Sequence, residues 1–210
     1  MAEDLLLRAA ASGDLEEASR LLDRGRVRAD IVVPPLYTTP LHAACLTGGL
    51  DMAKLLLRAR ADPNVREVNG CGGRSPLHVA AAREIGGQGL VEALLNAGAN
   101  PVIRDARGNT PLHSAALAGC ADATRLLLAR GADPNMRDWA GFNPAWWAKE
   151  HRHAEVLAVY AEAQVEPSTI TAKMAIQHAG PRARSVLMNN KAGKKRGRAG
   201  GRSASAAPRR

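Results

Sequence analysis

Thr110-Pro111-Leu112-His113-Ser114-Ala115-Ala116-Leu117 is the stretch on which the reading turns, because the chain repeats its opening. The phrase occurs as Thr39-Pro-Leu-His42, as Ser75-Pro-Leu-His78 and, degraded, as Asn143-Pro-Ala-Trp146. Its prolines advance by 36, 35 and 33 residues. Self-similarity at such a period marks stacked units, each too small to bury an apolar face alone. After each phrase come small apolar residues, then a glycine (Gly48, Gly86, Gly119), then a leucine-rich segment (Leu55–Leu57, Leu90–Leu95, Leu126–Leu128). Units close on Ala61-Asp-Pro-Asn64, Gly98-Ala-Asn-Pro101 and Gly131-Ala-Asp-Pro-Asn135.

Each part of a unit has a physical reading. Thr or Ser before Pro is an N-cap followed by the first helical position, where the missing N–H costs nothing. Alanines let a first helix lie close to its neighbours. Leu90/Leu94 and Val91/Leu95 give a second helix one apolar stripe. Gly98 and Gly131 stand where a helix C-terminus favours a left-handed residue.

These residues resemble the ankyrin repeat, whose phrase is Thr-Pro-Leu-His-x-Ala-Ala with a Gly-Ala-Asp turn. Three units carry the resemblance strongly, at about 36–66, 67–104 and 105–137; weaker units span 3–33 and 138–164. The first lacks the phrase, yet Ala9-Ala-Ala-Ser-Gly13 and Leu21-Leu22 fall in register with Ala44–Gly48 and Leu56-Leu57. Weak outer units are expected, since terminal repeats need one polar face. The resemblance covers roughly three-quarters of the chain. It implies an all-α solenoid of helix-turn-helix units with short β-hairpin or loop fingers, over residues 3–164.

Three departures from the family pattern stand out. Arg60 replaces the glycine found at Gly25, Gly98 and Gly131, so a left-handed cap there costs on the order of 1 kcal/mol. Three surplus residues fall in Asn69-Gly-Cys-Gly-Gly73, lengthening one finger, and two fall inside Ala82–Gly86, between two helices. Both insertions lie in connections, which spares the core.

Composition fits this reading and excludes other classes. The 210 residues are 46% apolar but 3% aromatic, with a net charge of +9. That charge is unevenly placed: residues 1–166 hold 18 Lys/Arg against all 20 Asp/Glu, and residues 167–210 hold 11 Lys/Arg and no acid. Basicity therefore belongs to the tail. Cys45, Cys71 and Cys120 are odd in number without a CxxC pair, which argues against a disulfide framework and a zinc site and for a reducing compartment. Glu3 and Asp4 stand where a signal peptide carries positive charge. The uncharged run Ile31–Leu50 contains Pro34, Pro35 and Pro40, unlike a membrane helix. The expectation is a cytoplasmic or nuclear monomer without a membrane span.

Four sets of residues bear on catalytic chemistry. His42, His78 and His113 recur once per unit, so stacking sets them roughly 10 Å apart, too far to share a metal. The ankyrin resemblance implies that they hydrogen-bond the neighbouring turn. His151 and His153 lack the Glu spacing of a zincin and any Pro-Cys-x-x-Cys partner. The glycine-rich Gly86–Gly89 and Gly70–Gly73 carry no Lys-Ser/Thr for phosphate. Cys45 reads as an inert buried thiol and Cys71 as the exposed, oxidisable one. The expectation is no enzyme, no metal, no cofactor and no small-molecule substrate.

Ankyrin resemblance implies that partners lie on the concave face of finger tips and first helices. Register places Arg66, Arg104 and Arg137 at one position of successive fingers, with Arg74, Arg107, Trp139 and Phe142 around the following turns. Arg83 and Leu117 fall at the ends of first helices. One reading is a groove for an acidic, partly apolar protein segment, anchored by Trp139 and Phe142 with arginines as charge partners. The other is a solvated face balanced by Glu67, Asp105 and Asp138. Trp146 and Trp147, on the last first helix, are expected to cap the core.

Beyond the repeats, residues 165–190 form a linker with a short helix expected over Ile170–Ala179. Residues 191–210 hold eight Lys/Arg, among them Lys191, Lys194, Lys195, Arg196, Arg198 and Arg202, without aromatic or acid, and are expected to be disordered. Such a cluster suits nuclear targeting, an anionic surface, or weak non-specific contact with RNA or DNA; it also suits plain solubilisation. The leading reading is a non-catalytic interaction scaffold or adaptor. The alternative is a nucleic-acid-associated protein whose tail binds RNA or DNA while the repeats recruit partners.

Overall fold

The computed structural model describes residues 2–23, 27–32, 34, 38–67 and 72–165. Cys71, the interior of the long finger, the expected helix 170–179 and the basic segment 191–210 lie outside the described residues. Ten helices form five consecutive pairs: α1 (Ala2–Ser12) with α2 (Leu15–Asp23), α3 (Pro40–Thr47) with α4 (Leu50–Arg58), α5 (Pro76–Ala81) with α6 (Gly87–Asn96), α7 (Pro111–Ala118) with α8 (Ala121–Ala129), and α9 (Pro144–Glu150) with α10 (Ala154–Glu162). The odd-numbered helices pack in sequence as an inner row and the even-numbered ones as an outer row. The repeated prolines therefore line up along one spine, as the phrase spacing predicts.

Each inner helix starts the same way. Thr39, Ser75, Thr110 and Asn143 are extended N-cap residues with proline at the first helical position. One and four residues after that proline, Leu41/Ala44, Leu77/Ala80 and Leu112/Ala115 are buried completely, and Ala145/Ala148 take those places in α9. Alanine at the second of these positions is what allows neighbouring inner helices to approach. From the outer row, Leu56, Leu94 and Leu127 are fully buried against them. Tyr160, Val156 and Val159 of α10 close the far end.

The outer helices α4, α6 and α8 end in one motif. The N–H of Ala61 reaches Leu56 O and that of Arg60 reaches Leu57 O; Ala99 and Gly98, then Ala132 and Gly131, repeat the pair. This is the Schellman arrangement, which needs a left-handed residue. Gly98 and Gly131 supply it at φ 89° and 82°, and Arg60 adopts it at φ 65°.

Both insertions lie in connections. The long finger closes with Glu67 N donating to Arg74 O (2.9 Å), seven residues on, whereas Asp105 N and Asp138 N reach Asn109 O and Phe142 O four residues on. Between hairpin and loop, the described fingers are tight loops with no regular strand. Pro76 and Leu94 stand 18 residues apart where Pro111 and Leu127 stand 16 apart, and the extra length sits between α5 and α6.

Candidate functional site

The three phrase histidines tie each unit to the next. Nε2 of His42 donates to Arg74 O (3.0 Å), that of His78 to Asn109 O (2.9 Å) and that of His113 to Phe142 O (3.1 Å). A carbonyl can only accept, so Nε2 carries the proton and Nδ1 is the acceptor. Nδ1 takes the Thr39, Ser75 and Thr110 hydroxyls at 2.8, 2.9 and 2.9 Å. It also takes the backbone N–H of Ser75 and Thr110. Burial holds all three imidazoles below their ordinary value, because a charged ring has no water there. Each histidine is thus the peg that fixes a finger over the preceding inner helix.

The finger carboxylates turn inward. Asp105 Oδ1 accepts from the N–H groups of Arg107 and Asn109, and Asp138 Oδ1 from those of Ala140 and Phe142. Both aspartates are buried. Trp147 Nε1 adds a bond to Asp138 Oδ2 (2.8 Å).

The arginines turn outward, but three of them also brace the fingers. Arg66 Nε donates to Gly73 O (3.0 Å), Arg104 Nη1 to Gly108 O (2.8 Å) and Arg137 Nη1 to Gly141 O (2.9 Å). Arg104 also reaches Arg137 O in the next finger (2.7 Å) and lies 4.8 Å from the Trp139 ring centroid. Identical register in sequence therefore reflects an identical bond. The spacing of Arg104 to Gly108 and Arg137 to Gly141 was the available signal. Arg66, Arg74, Arg107 and Arg137 remain exposed, with Arg74 paired to Glu67 (3.1 Å). Arg107 makes no side-chain hydrogen bond or ion pair among the described residues.

Two expected contact residues are placed differently. Phe142 is 3% exposed, so it cannot anchor a partner from the surface. Its ring stacks on Trp146 (3.8 Å between centroids) and meets Trp147 edge-on at 5.9 Å. The cause lies in the fifth pair, where no further finger follows among the described residues for an imidazole to hold. Trp146 replaces that histidine and needs an apolar neighbour, which Phe142 provides. Arg83 is the second correction. Its guanidinium donates to Leu46 O at the end of α3, and a Cβ on Gly48 would meet Arg83 Nη2 at 2.6 Å. It is half-buried between two units rather than free. His153 does the same one unit pair later, bonding Leu117 O (3.1 Å) over Gly119.

Trp139 is 57% exposed on its finger. It lies over Gly108, whose φ of 80° and missing Cβ permit the contact. Leu117 is half-buried on α7. Leu46 and Ile85 are more exposed than any of these apolar residues, at 64% and 83%, and sequence register did not select Ile85 because it lies in the inserted connection. Among the described residues no cluster of three metal-binding groups occurs, and no helix is long and apolar enough to cross a membrane. Cys45 is buried, which pushes its thiol up to about 12 and leaves it unreactive.

Comparison with known proteins gives a direct match to this architecture: the model of ankyrin repeats in three copies fits residues 6–105 and 77–169. The chain belongs to the ankyrin-repeat family. It is 36% identical over 118 residues to ankyrin repeat and SOCS box protein 16 of Mus musculus, covering 50% of this chain and 24% of that protein. Over 138 residues it is 36% identical to neurogenic locus notch homolog protein 1 of Xenopus tropicalis, covering 65% and 5%. With ankyrin repeat domain-containing protein 63 of Mus musculus it shares 33% over 126 residues, covering 59% and 32%. The chain thus spans at most about a third of these relatives. Ankyrin repeats are in general protein–protein interaction modules and non-catalytic, which is the level at which this family membership speaks.

Proposed function

We propose that this ankyrin stack is a non-catalytic adaptor that docks an acidic protein segment on its finger and inner-helix face. The observation that carries this is the division of charge in the fingers. Asp105 and Asp138 are buried on turn N–H groups, while Arg66, Arg74, Arg107 and Arg137 face solvent beside the exposed Trp139. Of the three acids that could balance the row, Asp105 and Asp138 are turned inward, and Glu67 pairs with Arg74. A guanidinium has five donors, so an arginine that braces a finger with one bond keeps others for a carboxylate.

Affinity purification with the full chain and with an Arg107→Glu/Arg137→Glu/Trp139→Ala variant tests it. Partners held by this face drop out of the variant's set while far-UV circular dichroism stays the same; an unchanged set of partners contradicts the reading. Eight Lys/Arg without an acid in residues 191–210 support a second contact, for nuclear targeting or for an anionic surface such as RNA or DNA. Removing 191–210 separates the roles. If partner affinity survives, the tail only targets or tethers; if RNA or DNA co-purification disappears and partners go with it, the tail supplies the affinity.

A further inference from the structure

Two of the most exposed large apolar side chains among the described residues lie on one groove. Leu46, at the end of α3, and Ile85, in the connection after α5, flank a cleft of about 390 Å³ with Val79 and Ala82 at its base. Isolated exposed leucines are ordinary, but two large aliphatic residues gathered on a concave surface are not. The wall carrying Ile85 exists because of the insertion peculiar to this unit. In the second and fourth pairs two residues join inner to outer helix, Gly48-Gly49 and Gly119-Cys120; here five residues do, Ala82–Gly86.

Charge defines the rest of the groove. Arg74 borders it from the finger, and Arg83 is fixed in it by its bond to Leu46 O, with a buried Nε that has no hydrogen-bond partner. Glu84 is the acidic lining residue and is exposed. Glu67, the partner of Arg74, is itself largely covered. The adjoining finger, joined through Ala106 N to Gly72 O (2.9 Å), adds the exposed Arg107. Arg74 and Arg107 thus set two exposed guanidiniums around the apolar lining, against the exposed carboxylate of Glu84.

We infer that the cleft between α3 and α5 is an anchor subsite for one large aliphatic side chain of an acidic protein segment, with the exposed Arg74 and Arg107 facing carboxylates beside it. This deepens the adaptor reading and rests on it. A leucine moved from water into such a cleft strengthens binding by about tenfold or more. The arginines add affinity that weakens with salt.

The test uses the full chain and three fluorescein-labelled dodecapeptides read by fluorescence anisotropy. One is glutamate with a single central leucine, one has serine in place of that leucine, and one has lysine in place of glutamate. The basic tail attracts both acidic peptides equally, so the leucine-to-serine ratio isolates the cleft. We expect a ratio of about ten or more in the wild type, collapse to about one in Leu46→Ser/Ile85→Ser, and no binding of the lysine peptide. Both substituted residues are exposed, and the helical signal stays unchanged. Arg74→Ala should weaken both acidic peptides by a similar factor. Equal binding of the two acidic peptides by the wild type, no binding of either, or a ratio that survives Leu46→Ser/Ile85→Ser overturns the inference. So does a concentration-dependent dimer lost in Ile85→Ser, which would place a second copy in the cleft. The adaptor reading fails separately, if Arg107→Glu/Arg137→Glu leaves the affinity of both acidic peptides untouched.

Discussion

Arg60 holds φ at 65° at the C-terminus of an outer helix, where the next two units place Gly98 and Gly131. A side chain in that region costs about 1–2 kcal/mol, and glycine would return part of it as freedom of the unfolded chain, about 0.5–1 kcal/mol. Arg60→Gly should therefore raise stability by about 0.5–1 kcal/mol in urea unfolding; a loss would mean that the arginine makes a contact worth more than its strain. The buried histidines make a prediction of the opposite kind. Their folded values lie below the ordinary 6.5, so the unfolded chain binds more protons as acid is added. The stabilisation is complete above about 6.5 and is lost as pH falls through the depressed folded values. A urea midpoint that declines between about pH 7.5 and about 5.5 is expected, before most exposed carboxylates titrate. Protonating Nδ1 would turn a donor toward the Ser75 and Thr110 N–H groups, which explains why the effect acts through the cap. A flat profile over that interval would remove these rings from the stability of the stack.

Fingers and helices differ in how legible they are. Thr/Ser-Pro-Leu-His specifies a cap, a first helical turn and a buried leucine within four residues, so every inner helix was readable from its first letters. The outer helices followed from leucine periodicity and a terminal glycine. Fingers carry no periodicity, and there the reading depended on a rule about turns that failed at Phe142. The missed signal was Trp146: a ring in the place of a pegging histidine must rest on something, and Phe142 precedes it by four residues. Register exposes the arginine row but not its bracing, because a bond to a glycine carbonyl depends on the shape of the loop. Ile85 was out of reach, since an inserted connection has no register to count from. The two finger aromatics should now behave in opposite ways. Phe142→Ala should cost about 3–5 kcal/mol, as loss of a buried aromatic does. Trp139→Ala should cost much less, giving up a contact over Gly108 and the arginine above it, and should weaken partner binding instead. Thermal melts of the two variants rank them directly, and the reverse order would restore Phe142 to the surface.

Among the described residues, the main helix contacts run within a pair or to the adjacent pair, so stability is a chain of adjacent interfaces rather than one central core. Where a substitution falls along that chain then matters as much as how much it removes. Leu127 sits in the fourth of five pairs, fully buried beneath both flanking units. Leu127→Ala should cost about 2–5 kcal/mol, while Arg107→Ala, exposed and unbonded at its side chain, should leave the melt within about 0.5 kcal/mol. The nearest-neighbour picture says more than that ranking. Weakening the fourth pair uncouples the fifth, whose α9 and α10 pack on no other helix pair among the described residues. In native-state hydrogen exchange, Leu127→Ala should speed exchange in α7 to α10 far more than in α3 and α4, which keep their own interfaces. Arg107→Ala should change neither group. A uniform increase over α3 to α10 would instead mean that the five pairs open as one unit, and that the charged finger face is carried by a single cooperative body rather than by a row of separable layers.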